Sequence, residues 1–435
     1  MSDPASPRAE PASAPSVVTG GRRRAALGFI FFTALMDVVA LGIMIPVLPN
    51  LVKELSGGDL AYATRMTGLF ATAWGLMQFV FSPIQGMLSD RFGRRPVLLI
   101  SIFGLTLDYI VMALAPTLAW LFVGRLINGI TSASFSTAGA YIADVSKPEE
   151  RAKNFGLIGS AFGVGFIIGP ALGGLLGRHS LRLPFYVSAA LGAMNWLYGL
   201  IVLPESLPPE RRLSRFDWKK ANPVGSLRLL RERRSLLGLA GVTTLFDLAH
   251  NVFPSIFVLY VGYRFGWSAL QAGLMMMAVG VVNVITQGFF VGPAVKRLGE
   301  RGALLLGLLG AAAGFALYAV APTPPFFSFG IVVFGVAALI NPGMQGLMTR
   351  RVAPSEQGQL QGANSAIMGL TSIVGPQIFT GVLAWTVAQS GAFRWPGLAV
   401  LIASIMMLLA FVLAVRVTRP GVDAPPSEVV PGQVP

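Results

Sequence analysis

A stretch of charged residues and glycines recurs once in the chain, at a constant distance. Residues 86–96 read Gly-Met-Leu-Ser-Asp-Arg-Phe-Gly-Arg-Arg-Pro between two long apolar runs, and residues 292–301 read Gly-Pro-Ala-Val-Lys-Arg-Leu-Gly-Glu-Arg in a similar setting. The same offset of 206 residues maps the Gly-Pro at 169–170 onto the Gly-Pro at 375–376. A chain of 435 residues that repeats itself once is predicted to fold as two similar halves.

Long uncharged runs fill most of both halves. Hydrophobic residues make up 54% of the chain and charged residues 12%, whereas roughly a quarter of the residues in ordinary soluble domains are charged. The runs reach the roughly 20 residues that an α-helix needs to cross a bilayer. We therefore predict an all-α membrane protein with twelve transmembrane helices in two six-helix pseudo-repeats. The spans are predicted at 26–48, 67–88, 97–115, 118–143, 154–177, 184–203, 236–262, 269–293, 303–321, 326–349, 360–386 and 395–416.

The formal net charge is +14, and the basic residues are distributed as the predicted topology requires. Basic residues crowd alternate loops, above all the central loop from Arg211 to Arg234, and are sparse in the others. By the positive-inside rule, both termini and the central loop face the cytoplasm. A protein that binds nucleic acid gathers basic and aromatic residues on one surface instead, so we expect no nucleic-acid partner.

The domain organisation follows from the spans. We predict a disordered cytoplasmic segment at 1–25, rich in Pro, Ala and Ser and without the apolar core of a cleaved signal peptide. Six-helix halves at 26–203 and 236–418 are joined by a cytoplasmic central loop at 204–235. The Pro-containing tail at 419–435 is predicted to be disordered and cytoplasmic.

Three carboxylates fall within predicted spans, where ionisable groups are costly and mark function by default. Asp37, Asp108 and Asp247 each lie about eleven residues into a span that enters from the cytoplasmic side, or roughly 16 Å deep. We expect the three to surround one cavity between the halves. The alternative for each is a carboxylate tied to a neighbouring helix for packing.

Two basic groups accompany these carboxylates. Arg125 in span four needs a counter-ion, and Asp37 or Asp108 is the nearest candidate by depth. Arg125 then either takes part in proton relay or ties two helices together. His250 lies one helical turn after Asp247, which suggests either a proton-sharing pair or a histidine bonded to the backbone or to Asn251.

Amide side chains within the spans supply candidate lining for a substrate path, although amides also bond between helices for packing alone. The candidates are Gln78, Asn128, Asn283, Gln287, Asn341 and Gln345, and Asn195 in span six is a further amide that can supply polar lining. The chain has no cysteine and no spacing typical of a metal site, so no metal is predicted.

The charged stretch after span two is the candidate cytoplasmic gate. Its glycines permit close approach and a tight turn, and Asp90 can pair with Arg94, with Asp144 nearby at the inner end of span four. We predict an ionic latch that holds the cytoplasmic mouth shut and breaks when the halves rock. The gate residues are Gly86, Asp90, Arg91, Gly93, Arg94, Arg95 and Asp144.

Span five is dense in glycine. Small residues four positions apart let helices pack backbone to backbone, and an internal proline kinks a helix. This span is predicted to be a packing seam or a hinge. The residues concerned are Gly165, Gly169, Pro170, Gly173 and Gly174.

Together these segments resemble the major facilitator superfamily, specifically its drug/proton antiporters and most closely the tetracycline/proton antiporters. The resemblance extends from span one to span eleven. Four motifs carry it: the loop at 86–96, Asp37 with Pro46 and Pro49, residues 121–129 around Arg125, and residues 165–174. The closer match to the tetracycline family rests on the blocks at 107–109, 140–144, 204–206 and 357–362.

The resemblance implies that the protein expels a drug in exchange for protons. In that family the drug is a tetracycline chelated to a divalent cation. By the same resemblance, Asp37 and Asp108 fall on carboxylates of proton and substrate coupling, Arg125 falls on the buried arginine, and residues 90–95 fall on the gate. We expect no resident cofactor, a monomer in the lipid bilayer, and a place in the bacterial inner membrane.

Two positions depart from the tetracycline family. Ala311 stands where that family has an aspartate in helix nine, and Asn283 where it often has a histidine in helix eight. Asp247 and His250 are additions in helix seven. These changes place tetracycline specificity and proton stoichiometry in question and leave antiport intact.

Other functions remain as alternatives. A proton-coupled exporter or importer of a different solute or metabolite fits the same fold, although import leaves the glycine pattern of span five unexplained. A membrane receptor or scaffold has no need of buried Asp37, Asp108 and Arg125. An enzyme is not predicted, since no hydrolytic triad signature, phosphate loop or metal-binding spacing is present.

Overall fold

The computed structural model describes residues 20–132, 134–146, 150–214, 222, 224–389 and 395–418. The predicted disordered ends lie outside these ranges, except that the first helix begins at Gly20, six residues before the predicted span. The helices of the N-terminal half are α1 (Gly20–Met44), α2 (Leu48–Leu55), α3 (Leu60–Phe92), α4 (Arg94–Leu114), α5 (Leu118–Thr131), α6 (Ser134–Val145), α7 (Arg151–Gly177) and α8 (Leu183–Val202). Then follow α9 (Arg228–Glu232), α10 (Arg234–His250), α11 (Val252–Phe265), α12 (Ala269–Ile285), α13 (Gly292–Val320), α14 (Pro324–Gly335), α15 (Ile340–Thr349), α16 (Gln357–Ala388) and α17 (Leu398–Val417).

The helices overlap the predicted spans, but their lengths and continuity differ: the span predicted at 236–262 is divided between α10 and α11, and that at 326–349 between α14 and α15. Over the described residues, eight helical segments are long and apolar enough to cross a membrane, or nine if the bent pair Gly28–Met44 and Leu48–Leu55 is one span. Ala269–Val320 counts as a single segment because a π-helical stretch, Thr286–Val291, joins α12 to α13. The count of twelve therefore remains a prediction.

Span four, predicted as one helix, is broken near its middle. The Thr131 hydroxyl donates to the Ile127 carbonyl oxygen at 2.9 Å and the Ser132 hydroxyl to the Gly129 carbonyl oxygen at 3.0 Å. Hydroxyls that bond back to the preceding turn compete with the helical ladder and bend helices. The hydroxyl-rich sequence after Asn128 thus ends α5 before α6 begins.

The repeat has a backbone counterpart. Gly93 caps α3 and starts α4 with φ of 107°, and Gly299, 206 residues later, interrupts α13 with φ of 68°. A side chain disfavours this region of φ, whereas glycine enters it readily. In both halves a glycine therefore makes the sharp turn that directs the following charged residues.

One seam between the halves joins α3 to α16. The Thr72 hydroxyl donates to the Ile373 carbonyl oxygen at 2.8 Å. A Cβ added to Gly75 would lie 3.1 Å from the Ser372 carbonyl oxygen, so the backbones approach closely because Gly75 has no side chain.

A second seam joins α7 to α12. A Cβ added to Gly174 would lie 2.7 Å from the Ala269 carbonyl oxygen, and one added to Gly280 would lie 3.0 Å from Cγ1 of Ile167. These contacts use the later part of α7 and extend along α12 from its first residue, Ala269, to Gly280 beyond its middle.

Both seams lie away from the central loop. The loop touches the last part of α3, where the Leu213 N–H donates to the Asp90 carbonyl oxygen at 3.0 Å, whereas the α3 seam is formed around Gly75. We call the end of the bundle near Asp90 the loop end and the opposite end the far end. The described contacts between the halves therefore gather from the middle of the bundle toward the far end.

Candidate functional site

Asp108 and Arg125 form a buried ion pair between α4 and α5. Asp108 is fully buried and Arg125 is 5% exposed. Asp108 Oδ2 accepts a hydrogen bond from the Arg125 guanidinium and another from Nδ2 of Asn128 at 2.9 Å. No described group donates to Asp108 Oδ1, which is also buried. Of the two predicted counter-ions for Arg125, the structure pairs it with Asp108.

The Asp108 pair is linked to the α3–α16 seam through Asn128. Trp74 on α3 donates its indole N–H to Asn128 Oδ1 at 2.6 Å. Trp74 precedes Gly75, whose backbone lies against Ser372 of the other half. A change at Asp108 can therefore reach the seam through Asn128 and Trp74, a contiguous chain of hydrogen bonds and packed backbone.

Asp37 is enclosed within the N-terminal half. It is 4% exposed and accepts a hydrogen bond at 3.2 Å from Nδ2 of Asn195 on α8. Asn195 Oδ1 in turn accepts one from the Thr33 hydroxyl at 3.1 Å. Asn195 is one of the amides within the predicted spans that the sequence offers as polar lining, but its bond to Asp37 was not predicted.

The expectation that three carboxylates surround one open cavity is therefore wrong in this structure. Asp37 and Asp108 are closed over by partners in their own half, whereas Asp247 on α10 is partly exposed. Equal depth along three helices fixes height in the bundle and leaves the direction of each side chain undetermined, because direction depends on helix rotation.

Asp247 and His250 lie on one helical face without bonding to each other. No described residue donates a hydrogen bond to the Asp247 carboxylate or forms an ion pair with it, and the exposed His250 has no described hydrogen-bond partner, Asn251 included. The His250 ring lies 5.7 Å from that of Phe246 and 6.3 Å from that of Phe334, centroid to centroid. The proton-sharing pair is not formed here.

The predicted lining amides separate into different environments. Asn128 belongs to the buried Asp108 network. Gln287 donates to Asn283 Oδ1 at 2.5 Å, and both are exposed at the junction of α12 with the π-helical stretch. The remaining three have exposed or partly exposed side chains on α3 and α15. They are Gln78, Asn341 and Gln345.

At the loop end, charged groups converge on Arg94, the first residue of α4. Its guanidinium lies 2.5 Å from Asp90 Oδ1 and 3.1 Å from Asp144 Oδ2, and it donates to the Ser89 hydroxyl at 3.1 Å. We call Asp90, Arg94, Asp144 and Glu205 the mouth cluster.

Glu205 completes this cluster from the start of the central loop. Its carboxylate accepts the backbone N–H groups of Arg94 at 2.8 Å and Arg95 at 3.3 Å, at the N-terminus of α4, where unpaired N–H groups and the helix dipole favour an anion. The candidate gate residues omitted Glu205. Its place in the Pro-Glu-Ser block at 204–206 was the available signal.

The predicted latch does not bridge the two halves in this structure. The described partners of the mouth cluster belong to the N-terminal half or to the central loop, and Arg95 donates to the Leu200 carbonyl oxygen at 2.8 Å. Arg91 stacks over Phe92, its guanidinium carbon 5.2 Å from the ring centroid. Gly93 makes the predicted turn, whereas a Cβ on Gly86 would meet nothing within 4 Å, so Gly86 makes no close approach here.

The C-terminal half has an ion pair at the positions equivalent to Arg94 and Asp144, with the two charges exchanged. Glu300 and Arg350, which lie 2.6 Å apart, follow Arg94 and Asp144 by 206 residues each. The N-terminal half places the cation after the glycine turn, and the C-terminal half places the anion there. Farther along the loop end, the Ala353 backbone N–H and the Arg233 guanidinium bond to Glu356 and lower the pKa of that carboxyl.

The glycines of span five form two faces on α7. A Cβ on Gly169 would lie 2.7 Å from the Gly42 Cα, and Gly165 and Gly173 contact α1 one turn to either side. Gly174 contacts α12 of the other half, and Pro170 also lies against α12, at Gly273. Span five is therefore a packing seam on both sides, joining α1, which carries Asp37, to the opposite half.

Other candidate sites are sparse over the described residues. No group of three or more His, Asp or Glu side chains there is placed to hold a metal ion. A cavity of about 400 Å³ opens at the far end. Its lining includes Lys53, Arg178 and Trp267 and none of the predicted site residues.

Comparisons with known proteins agree with this architecture. The family model of the Major Facilitator Superfamily matches residues 27–288 and 239–433. The chain is 40% identical to the tetracycline resistance protein, class C, of Escherichia coli, over 88% of this chain and 95% of that protein. It is 36% identical to the class G protein of Vibrio anguillarum, over 86% and 93%.

A solved structure shows the same fold. The nucleoside transporter NupG superimposes with a TM-score of 0.73 at 16% identity, and the match covers 90% of this chain and 98% of that transporter. These matches cover most of the chain. They agree with two halves that meet through glycine-rich seams and with the buried Asp108–Arg125 ion pair. The chain belongs to the major facilitator superfamily of transporters, and within it to the family of the tetracycline resistance proteins.

Proposed function

We propose that the protein is a secondary active transporter, not an enzyme, that exports a small amphipathic, tetracycline-like drug in exchange for protons by alternating access. The observation that carries the proposal is the buried Asp108–Arg125 pair, with Asn128, in a chain 40% identical to a tetracycline resistance protein. Charges of this kind inside a membrane bundle are costly and serve transport more often than packing.

Asp108 is the proposed proton acceptor of the N-terminal half. Its Oδ1 receives no described hydrogen bond while Oδ2 holds Arg125 and Asn128, so a proton can be placed on Oδ1 without displacing either partner. Neutralising the carboxylate removes the Coulombic attraction that orients Arg125. Asn128 and Trp74 then pass the rearrangement to the α3–α16 seam.

We propose that Asp37 acts on the second seam, between α7 and α12. It adjoins Val38, which packs on Gly165 of α7, and α7 packs on α12 of the other half. The two N-terminal carboxylates thus each have a route to one seam. Seams of small residues hold the halves by close backbone contact and break without moving large side chains.

The structure corresponds to the state open to the cytoplasm in this scheme. The halves meet from mid-bundle to the far end, and the positive-inside rule makes the loop end cytoplasmic. We propose that both termini and the central loop are cytoplasmic, in a bacterial inner membrane, and that a single copy of the chain works in the bilayer. Its partners are the small-molecule substrate and protons, with no resident cofactor, and the substrate arrives as a divalent-cation chelate.

The proton gradient supplies the driving force. One proton crossing about 100 mV releases about 2.3 kcal/mol, and a tenfold difference in proton concentration adds about 1.4 kcal/mol. Together they support roughly several hundredfold accumulation per proton exchanged.

Export of a different solute is the second candidate. Ala311, where the tetracycline family has an aspartate, is fully buried among the apolar side chains of the C-terminal half. The partly exposed Asp247 on α10 is the carboxylate this half offers instead. A relocated charge favours a ligand whose charge is placed differently.

Inside-out vesicles with an acidic interior test the proposal. Tetracycline added with Mg²⁺ is expected to release protons from the interior and to accumulate, and Asp37→Asn and Asp108→Asn are expected to abolish both signals. Proton-coupled movement of the drug toward the cytoplasm would overturn the export direction. If the two variants exchange as fast as the parent, the assignment of Asp37 and Asp108 is wrong.

A further inference from the structure

The cavity at the far end is lined by both halves and has no part in the proposed transport cycle. Its volume of about 400 Å³ lies within the roughly 300–1,000 Å³ of small-molecule sites. The N-terminal half contributes Lys53 and Glu54 on α2 and Arg178 just after α7. The C-terminal half contributes Ser268 and Ala269 at the start of α12. The cavity is therefore complete only while the halves meet at this end.

Positive charge outweighs negative charge in this lining. Lys53 and Arg178 are exposed, and neither side chain takes part in a described hydrogen bond or ion pair. Among the described lining residues, Glu54 is the single carboxylate. The helix α12 begins at Ala269 in the cavity wall, where the helix dipole adds partial positive charge. Two cations and a helix N-terminus against one carboxylate favour an anionic ligand.

Apolar side chains complete the wall of the cavity. Leu181 and Trp267 line it and are partly buried. The Trp267 ring lies 5.8 Å from the rings of Phe265 and Phe327, centroid to centroid. These contacts hold the wall in place before a ligand arrives. Small-molecule sites combine such apolar walls with a few polar groups, so the lining suits an anion that carries an organic body.

The two halves approach closely at the edge of the cavity. A Cβ added to Gly177 would lie 3.5 Å from Cβ of Ala269, and one added to Gly174 would lie 2.7 Å from the Ala269 carbonyl oxygen. Separating the halves at this end would draw Lys53 and Arg178 away from Ala269. A ligand that contacts both sides therefore binds the closed far end more tightly, and it shifts the protein toward that state by the difference in affinity.

We propose that the far-end cavity is an inhibitory site for a small organic anion, which binds Lys53, Arg178 and the start of α12 and holds the transporter open to the cytoplasm. The occupant is a regulator and not the exported substrate, since none of the coupling or path residues lines the cavity. Binding is independent of the proposed function, and only the inhibition of export rests on it.

Equilibrium binding to the purified protein in an uncharged detergent tests the site. The probes are phenyl phosphate, phenol as its uncharged counterpart, and inorganic phosphate. Phenyl phosphate is expected to bind more tightly than either, and Lys53→Gln and Arg178→Gln are each expected to weaken it roughly threefold to tenfold, the loss of one charge-assisted contact. Glu54→Gln is expected to tighten it, because a like charge is removed. Equal affinity for phenol, or weaker binding to Glu54→Gln, would overturn the anion site.

Matched variants at the loop end separate the site from general attraction by a chain of net charge +14. Lys296 on α13 and Arg231 on α9 are exposed like Lys53 and Arg178. Lys296→Gln and Arg231→Gln are expected to leave the affinity for phenyl phosphate unchanged. If they weaken it as much as Lys53→Gln and Arg178→Gln do, the anion has no specific site at the far end and the proposal is wrong.

A disulfide across the cavity tests which state binds the anion. The chain has no cysteine, so Gly177→Cys with Ala269→Cys introduces one possible pair, and the Cβ separation of 3.5 Å suits a disulfide. The oxidised variant is expected to bind phenyl phosphate at least as tightly as its reduced form and to lose export until it is reduced. Weaker binding to the oxidised form would contradict an anion held by the closed far end.

Inside-out vesicles of phosphatidylcholine, which supply no anionic lipid to compete, test the inhibition. Phenyl phosphate enclosed in the interior, where the far end lies in the proposed orientation, is expected to slow tetracycline export by the parent and to have less effect on Lys53→Gln with Arg178→Gln. Export at the same rate with and without the enclosed anion would refute the inhibition. A parent that binds phenyl phosphate but exports nothing would refute the proposed function and leave the binding site standing.

Discussion

In the N-terminal half, Asp108 is fully buried and takes the Arg125 guanidinium and the Asn128 amide. In the C-terminal half, Asp247 is partly exposed and receives no hydrogen bond from any described residue. The repeat that relates the halves therefore does not extend to their charges. One half carries carboxylates that its own helices satisfy, and the other carries one that is open to an outside group.

This difference suggests that the carboxylates of the two halves have different roles. In the proposed mechanism, a carboxylate bonded within its half is suited to sensing protons, because protonation changes its contacts to other helices. A carboxylate without partners is suited to a ligand, because nothing has to be displaced. The contrast makes different demands on stability, since removing a partnered buried charge is costly and removing an unpartnered one is not.

The largest effect is expected at Asp108. Asp108→Asn leaves the buried Arg125 without its counter-ion, which costs about 3–5 kcal/mol for a buried pair, and it is expected to abolish proton-coupled transport. Thermal unfolding in detergent and vesicle transport measure the two effects. The double variant Asp108→Asn with Arg125→Gln is expected to recover much of the stability and none of the transport. Transport by the double variant would show that the pair serves packing alone.

Packing around Asp37 depends on contacts between α1 and α7. Gly169→Val places atoms against the Gly42 backbone, and overpacking of this kind costs about 1–3 kcal/mol. We expect lower thermal stability and loss of transport. Gly159→Ala on the same helix is the control, because a Cβ there meets nothing within 4 Å. Equal effects of both variants would show that the close approach at Gly169 is unimportant.

At the loop end, the mouth cluster around Arg94 is more buried than the equivalent Glu300–Arg350 pair of the C-terminal half. The Arg94 side chain is 12% exposed and has three side-chain partners, whereas Arg350 is 49% exposed beside Glu300. Arg94→Ala is expected to cost about 1.5 kcal/mol or more, and Glu300→Ala at most about 1 kcal/mol. Denaturation of the two variants at low and high salt tests the order, which a larger loss for Glu300→Ala would reverse.

Asp247→Asn is expected to cause no loss of stability, because no described group loses a partner and the substitution removes an unpaired charge from the membrane bundle. Thermal unfolding of this variant beside Asp108→Asn provides the direct test of the contrast between the halves. A loss as large as that of Asp108→Asn would mean that Asp247 is also held by its own half.

The smallest effect is a pH dependence at Glu356. The Ala353 N–H and Arg233 lower its pKa in the folded state, so the stabilisation is present above the ordinary pKa of glutamate and is lost as the pH falls through the lowered value. Glu356→Gln is expected to remove this part of the acid sensitivity, measured by unfolding between about pH 3 and pH 6. An unchanged profile would show that the contacts of Glu356 are solvated.

Features written into local patterns were predictable from the sequence. The spans follow from apolar length, and Asp108 was one of two counter-ions for Arg125 that depth along the helices allowed. Glu205 was missed because its role depends on the turn at Gly93, which presents the N-terminus of α4 to it. The bond between Asn195 and Asp37 was not predicted, because helix rotation, not depth, brings the Asn195 amide to Asp37.

The sequence by itself determined a duplicated, helical membrane protein, the orientation its basic loops favour and the residues whose charge is costly in hydrocarbon. These follow from composition and spacing, because the bilayer sets the length of a span and the cost of a charge wherever the span packs. Only the tertiary structure decided that Asp37 and Asp108 are closed within one half while Asp247 remains open. Helix rotation and the close approach of glycine-rich backbones set those directions, and both depend on contacts between residues far apart in the chain.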